Sequence, residues 1–238
     1  MLYNVRGIVL RATKYTDNSL IVNMYTNLFG LQSYMVKGVH SRTSKVKSNY
    51  FQGLMVLDLV VTKTERQKLE RITEVTGARS LTMEFDFTKN AIALFLNELL
   101  FKTIHEEEAN PGLFEFLIHS LEILSLKESN CANFHLAFML KYTQYLGFYP
   151  TGNYSGVERY FDLLEGRFSH QVPRHVHYLD EKLSKYVHEL MHTKFEISEE
   201  VKLSNAERRQ LISALLEYYK LHNALTADLT SHIVLEQL

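Results

Sequence analysis

The 238-residue chain contains one cysteine, Cys131. That excludes an intramolecular disulfide and points to a reducing compartment, the cytoplasm. No apolar run reaches the length of a membrane span. The opening M-L-Y-N-V-R-G lacks a charged segment followed by an apolar one, so no signal peptide is expected. The patterns G-x-x-x-x-G-K-[ST], G-x-G-x-x-G and G-x-S-x-G are absent, which removes the common phosphate loops and the nucleophile elbow. One catalytic string is present: His188-Glu189-Leu190-Met191-His192 matches H-E-x-x-H. A zinc hydrolase needs a third ligand from a neighbouring element and an open coordination position. Here the string sits near the end of a short helix in an acidic region. A coincidental helix face is therefore preferred, with a zinc hydrolase kept as the rival. The eleven histidines are scattered, and no cofactor is expected.

The chain also has almost no net charge, -1 in total, but the total conceals an asymmetry. Residues 1–80 hold 12 Lys and Arg against 5 Asp and Glu, a balance of +7; residues 81–238 hold 14 against 22, a balance of -8. Such a split is a nucleic-acid or membrane signal. Its centre is Val36 to Lys47, V-K-G-V-H-S-R-T-S-K-V-K, which carries four basic residues and no acid. Phosphates require several cations along a groove, and hydroxyls add hydrogen bonds. The candidate nucleic-acid-binding set is Arg6, Arg11, Lys14, Lys37, Arg42, Lys45, Lys47, Lys63 and Arg66, interleaved with Ser41, Thr43, Ser44 and Ser48. A plain solvated loop is the alternative. Tyr15, Tyr25, Phe29 and Tyr34 can stack bases, although each such ring is more often core than platform.

The first 80 residues read as five short strands: Val5 to Thr13, Ser19 to Thr26, Leu31 to Val39, Gly53 to Thr64 and Leu69 to Val75. Asn27 to Gly30 forms the turn of a hairpin. Five strands without an intervening long helix suggest a small closed barrel, the OB-fold, with an open sheet as the alternative. Ile8, Leu10, Ile21, Met24, Met35, Leu57, Leu59 and Ile72 are the interior candidates. After Ser80 the period becomes helical. Helices are expected over Phe85 to Ile104, Leu113 to Leu126, Cys131 to Leu146, Asp180 to His192 and Ser204 to Leu225, with a short final one beyond Thr226. Gly147 caps the third helix, Pro150 stops it, and Ser204 with Glu207 forms a capping box. An irregular insert at about 148–178 contains a hairpin over Arg159 to Phe168. The expected class is α+β: an OB-fold domain at 1–80 packed on a helical domain at 81–238.

Five fragments, in order, resemble the bacterial recombination mediator and DNA repair protein RecO family. They are Gly7–Gly30 (G-I-V-L-R-A-T-K-Y-T-D-N-S-L-I-V-N-M-Y-T-N-L-F-G), Val36–Ser44, Asn97–Leu100 (N-E-L-L), Phe134–Pro150, and Leu216–His222 (L-E-Y-Y-K-L-H). The resemblance implies binding of single- and double-stranded DNA and annealing of complementary strands. It also implies partnership with RecR and with single-strand-binding protein, help in loading RecA, and a place with the bacterial nucleoid, without enzymatic activity. An RNA-binding OB module is the alternative, because a basic groove does not by itself distinguish the sugar. Much of the family carries a four-cysteine zinc module in the segment matching 148–178. This chain has no cysteine there, and His170, His175 and His177 lack an evident fourth ligand. A metal-free module is expected, with Tyr160, Phe161, Leu163 and Phe168 supplying the stability. The resemblance further implies docking of the acidic tail of single-strand-binding protein on the helical domain. Ala132 and Asn133 stand where the family often carries arginine, so weaker docking is expected on the third helix, through Phe138 or its neighbours and either Lys127 or Lys141.

Overall fold

The computed structural model describes residues 1–39, 46–64, 69–79, 86–128 and 131–235. These divide into two compact units. One takes the described residues within Met1–Glu84 and Leu96–Leu121, the other those within Phe85–Phe95 and Glu122–Leu238.

The first unit holds a closed barrel of β1 (Leu2–Thr16), β2 (Ser19–Thr26), β3 (Gly30–Lys37), β4 (Val56–Thr62) and β5 (Glu70–Arg79), in the order β1-β2-β3-β5-β4. All neighbours are antiparallel except β3 and β5, whose parallel pairing joins Tyr34 to Glu70 and Met35 to Arg71. β1 is longer than the sequence pattern predicts because its two ends serve different partners. Leu2 to Ile8 pair with β4, and Gly7 to Thr16 pair with β2.

Val5, Val9, Val22, Met24, Tyr34, Val36, Leu57, Leu59, Val61 and Ile72 fill the interior, joined by Val39, Val46, Phe51 and Met55 from the connections. Two expected interior residues lie outside. Ile21 and Met35 face each other across β2 and β3, and both are half-exposed. Strand side chains alternate, so placing Val22, Met24, Tyr34 and Val36 inward sends Ile21 and Met35 outward. Ile8 and Leu10 are buried, but on the other side of the strand from the barrel cluster. Ile8 pairs with Tyr25, whose ring packs on Phe114.

The β2–β3 turn is closed by Thr26, whose hydroxyl accepts from the Phe29 N–H and donates to the Gly30 carbonyl. Gly30 has φ +61°, and a Cβ there would stand 2.3 Å from the Glu108 carbonyl oxygen. The neighbouring Leu31 N–H donates to the Glu106 carbonyl at 2.9 Å. Glycine thus permits both the left-handed conformation and the close approach of another backbone.

Helices α1 (Phe87–Thr103) and α2 (Pro111–Leu126) contribute residues to both units. The second unit adds α3 (Phe134–Leu146), strands β6 (Tyr160–Asp162), β7 (Arg167–Ser169) and β8 (Tyr178–Leu179), then α4 (Glu181–His192), α5 (Asn205–Leu221) and the short α6 (His232–Leu235). α3 ends at Gly147 in the left-handed conformation, φ +87°, and α5 opens on the Ser204–Glu207 capping box. α5 stops at Leu221, four residues before the patterned end, because Asn223 turns left-handed at φ +57°. The hairpin β6–β7 gains a third strand, β8, beside β6, which two residues are too few to signal.

Candidate nucleic-acid interface

The alternation that fills the barrel also fixes its outer face. Arg11 pairs with Asn23, and Asn23 with Ser33, where the Asn23 amide donates to the Ser33 hydroxyl at 2.8 Å. In the next row Thr13, Ile21, Met35 and Arg71 follow one another across β1, β2, β3 and β5. Lys37, opposite Ser19, ends β3. The β1–β2 turn is tied to this end, since the Gly38 N–H donates to the Asn18 carbonyl at 2.8 Å. Exposed Arg11 and Lys37 therefore stand on the outer side of β1, β2 and β3, the side on which this type of barrel takes oligonucleotides. Exposed Lys14, opposite the inward Leu20, ends the β1–β2 hairpin, and exposed Lys47 precedes the 3-10 turn Ser48–Phe51.

The nine expected DNA-binding residues do not form one cluster. Lys63 lies at the other end of β1, where its backbone exchanges hydrogen bonds with Met1. Its ammonium stands 3.8 Å over the Phe29 ring, which Tyr3 meets edge-on at 5.2 Å. Arg6 faces Asp58 across β1 and β4, with Nε 2.7 Å from the carboxylate. Lys14 pairs with Asp17 at 2.7 Å, but both are well exposed, so water screens the pair and it holds neither charge firmly. The Arg11 guanidinium stands 5.0 Å over the Phe101 ring, which fixes its direction without neutralising it. Arg42, Lys45 and Arg66 lie outside the described residues.

Sequence reasoning passed over Arg71. Its signal was available: in L-E-R-I-T-E-V an inward Ile72 sends Arg71 outward, and it is exposed beside Met35. Of the four candidate stacking rings, Tyr25 and Tyr34 are buried, Phe29 is partly buried between Tyr3 and Lys63, and Tyr15 is exposed.

Two family models account for nearly the whole chain. Residues 1–81 match the N-terminal model of recombination protein O, and residues 84–227 match its C-terminal model. The chain belongs to the recombination protein O family. It is 35% identical over 224 residues to the DNA repair protein RecO of Bacteroides fragilis, covering 93% of each chain. It is 37% identical over 226 residues to that of Flavobacterium psychrophilum, covering 93% of this chain and 92% of the relative.

In this member of the RecO family, the Y-Y-x-x-H residues at the end of α5 hold α3 and the insert. The Tyr218 hydroxyl donates to the Phe148 carbonyl, that of Tyr219 to the Met139 carbonyl, and His222 Nε2 bonds the Leu163 carbonyl. Phe161, Leu163 and Phe168 are buried, with Phe161 against Phe168 at 5.0 Å and Tyr218 at 5.6 Å; Tyr160 packs on Tyr178. The donors here do not fit a tetrahedral zinc. His175 Nε2 is taken by Asp162 at 3.1 Å, His177 Nδ1 by Glu217 at 2.6 Å, and His170 is exposed. Among the described residues no group of three or more His, Cys, Asp or Glu is placed to hold a metal. The same holds for H-E-L-M-H: His188 Nδ1 accepts from the Tyr154 N–H, His192 Nδ1 donates to the His188 carbonyl, and no third ligand joins them among those residues.

The three expected tail-docking residues, Lys127 just past α2 and Phe138 and Lys141 on α3, all have partners within the helical unit. Phe138 is fully buried, 5.6 Å from Tyr142 and 6.4 Å from Phe195. Lys127 Nζ is held by the Glu199 carboxylate and the Glu196 carbonyl, both at 2.6 Å, and its side chain is 7% exposed. Lys141 Nζ donates to the Met191 carbonyl at 2.7 Å. These three residues anchor the 3-10 segment Phe195–Glu200 and the end of α4, so Phe138 is core and not an open slot.

Proposed function

We propose that this chain is a DNA repair and recombination mediator without catalytic activity of its own. It binds single- and double-stranded DNA on the β2–β3 side of its barrel and anneals complementary strands. The partners are those the resemblance implies: RecR, single-strand-binding protein and, indirectly, RecA. Membership of the recombination protein O family supports the repair role. The observation that carries the DNA reading is the exposure of Arg11 and Lys37 on the outer side of β1, β2 and β3, with exposed Lys14 at the tip of the same hairpin. Exposed Arg71 stands beside Met35 on the same side, and Lys47, Arg42, Lys45 and Arg66 are proposed as further phosphate contacts.

The test is the joint replacement Lys14→Glu, Lys37→Glu and Lys47→Glu. Binding to labelled single- and double-stranded DNA should weaken across sequences, and the log–log salt slope should fall by roughly one unit per lost phosphate contact. Annealing, measured with and without single-strand-binding protein, should fall in parallel. A variant that melts like the parent and keeps both affinity and slope would remove this face from the site. Competition by RNA equal to that by DNA would favour the RNA-binding alternative.

A further inference from the structure

The β1–β2 ladder slips one residue near its turn. Lys14 pairs with Leu20, but Thr16 pairs with Ser19, leaving Tyr15 as the extra residue of a bulge. A bulge breaks the in–out alternation of a strand and re-aims one side chain. Here the re-aimed side chain is an aromatic ring that is 60% exposed. Its exposed neighbours along the chain, Thr13, Thr16 and Asn18, are polar, and the apolar side chains of the adjoining row, Ile21 and Met35, are only half-exposed. Two exposed cations share its end of the barrel: Lys14 precedes it in the chain, and Lys37 closes β3, where Gly38 is bonded to Asn18. The nearby acid, Asp17, is paired with Lys14.

A lone ring amid cations suits a ligand that carries both a π-face and phosphates. We propose that Tyr15 is a base-stacking residue for single-stranded nucleic acid, receiving one unpaired base at the hairpin tip while the flanking cations hold the backbone. This rests on the DNA-binding reading above and adds a preference to it. Stacking on a side chain requires a free base face, which a single strand, a gap or a frayed end offers and an intact duplex does not. Phosphate contacts make no such distinction.

The chain contains no tryptophan, so Tyr15→Trp installs a unique fluorophore at the proposed contact. Its emission should be quenched when a single-stranded oligonucleotide binds, with binding followed independently by the anisotropy of the labelled strand. Tyr15→Ala should weaken single-strand binding about five-fold or more. It should change blunt-duplex binding by less than about two-fold and leave the salt slope intact, because phosphate contacts carry those. Tyr15→Phe, which keeps the ring and drops the hydroxyl, should bind like the parent. If the parent binds DNA but Tyr15→Trp stays unquenched, or Tyr15→Ala binds single strands like the parent, the assignment is overturned. It is also overturned if Tyr15→Phe loses as much as Tyr15→Ala. If the parent binds no DNA, the DNA-binding reading fails first, and this one with it.

Discussion

His135 shows what a single buried group does to the whole chain's pH behaviour. It lies in α3, is 4% exposed, and meets the Phe95 ring edge-on at 6.0 Å. Burial, with a smaller contribution from the Arg208 charge, pushes its pKa down from 6.5 to about 3. The folded chain therefore keeps the imidazole neutral, while the unfolded chain takes up a proton once the pH falls below 6.5. Stability is intact above that pH and falls as the pH drops towards 3, by at most about 1.4 kcal/mol per unit from this group. Urea midpoints at pH 7 and pH 5 should show the loss, and His135→Leu should flatten it. Parallel losses in parent and variant would mean that other groups carry the acid limb. The sequence marks His135 only as one histidine on an apolar helix; the burial that shifts it comes from packing that no local pattern records.

At the scale of elements, the β2–β3 turn offers a sharp test. The sequence made its position legible through Asn27 and Gly30, because turns are selected by residues that tolerate positive φ. It did not reveal that the Glu106–Glu108 backbone approaches the same glycine, since nothing local encodes a contact nearly eighty residues away. Gly30→Ala must strain φ and displace a carbonyl 2.3 Å from the new Cβ. We expect a cost of about 2 kcal/mol or more, hence a melting temperature lower by about 5 °C or more. A shift within about 1 °C would show that the segment yields freely. The strands were legible for a related reason: alternation names two faces reliably, but not which is inside. Val22 and Ile21, or Tyr34 and Met35, are equally apolar candidates, and only the closure of the sheet decides between them. That same decision placed Arg71 on the outer face.

At the scale of the molecule, the barrel, the helical unit and the insert were all readable in outline, and the supports of the insert were not. Its supports are rings and side-chain pairs distant in the chain: Phe148 stacks on His222 at 5.0 Å, Tyr218 reaches the Phe148 carbonyl, and Asp162 holds His175. Packing of this kind supplies folding free energy without drawing on a metal, the other source open to a small insert. The purified protein should accordingly contain no stoichiometric zinc, and a chelator should leave its melting temperature unchanged. One zinc per chain, lost together with stability on His175→Ala, would contradict this.

A joint made of aromatic rings also changes how the protein meets oxidative stress. Thiolates are the groups that peroxide attacks first, and a cysteine-built zinc site fails when its ligands climb to sulfenic acid or disulfide. Here the insert contains no sulfur ligand to lose. The one thiol of the chain, Cys131, is 3% exposed, and burial raises its pKa, which keeps it protonated and poorly nucleophilic. Peroxide at concentrations that dismantle thiolate–zinc modules should therefore leave the thermal unfolding of this insert unaltered, so that the protein keeps its shape under the conditions that break DNA.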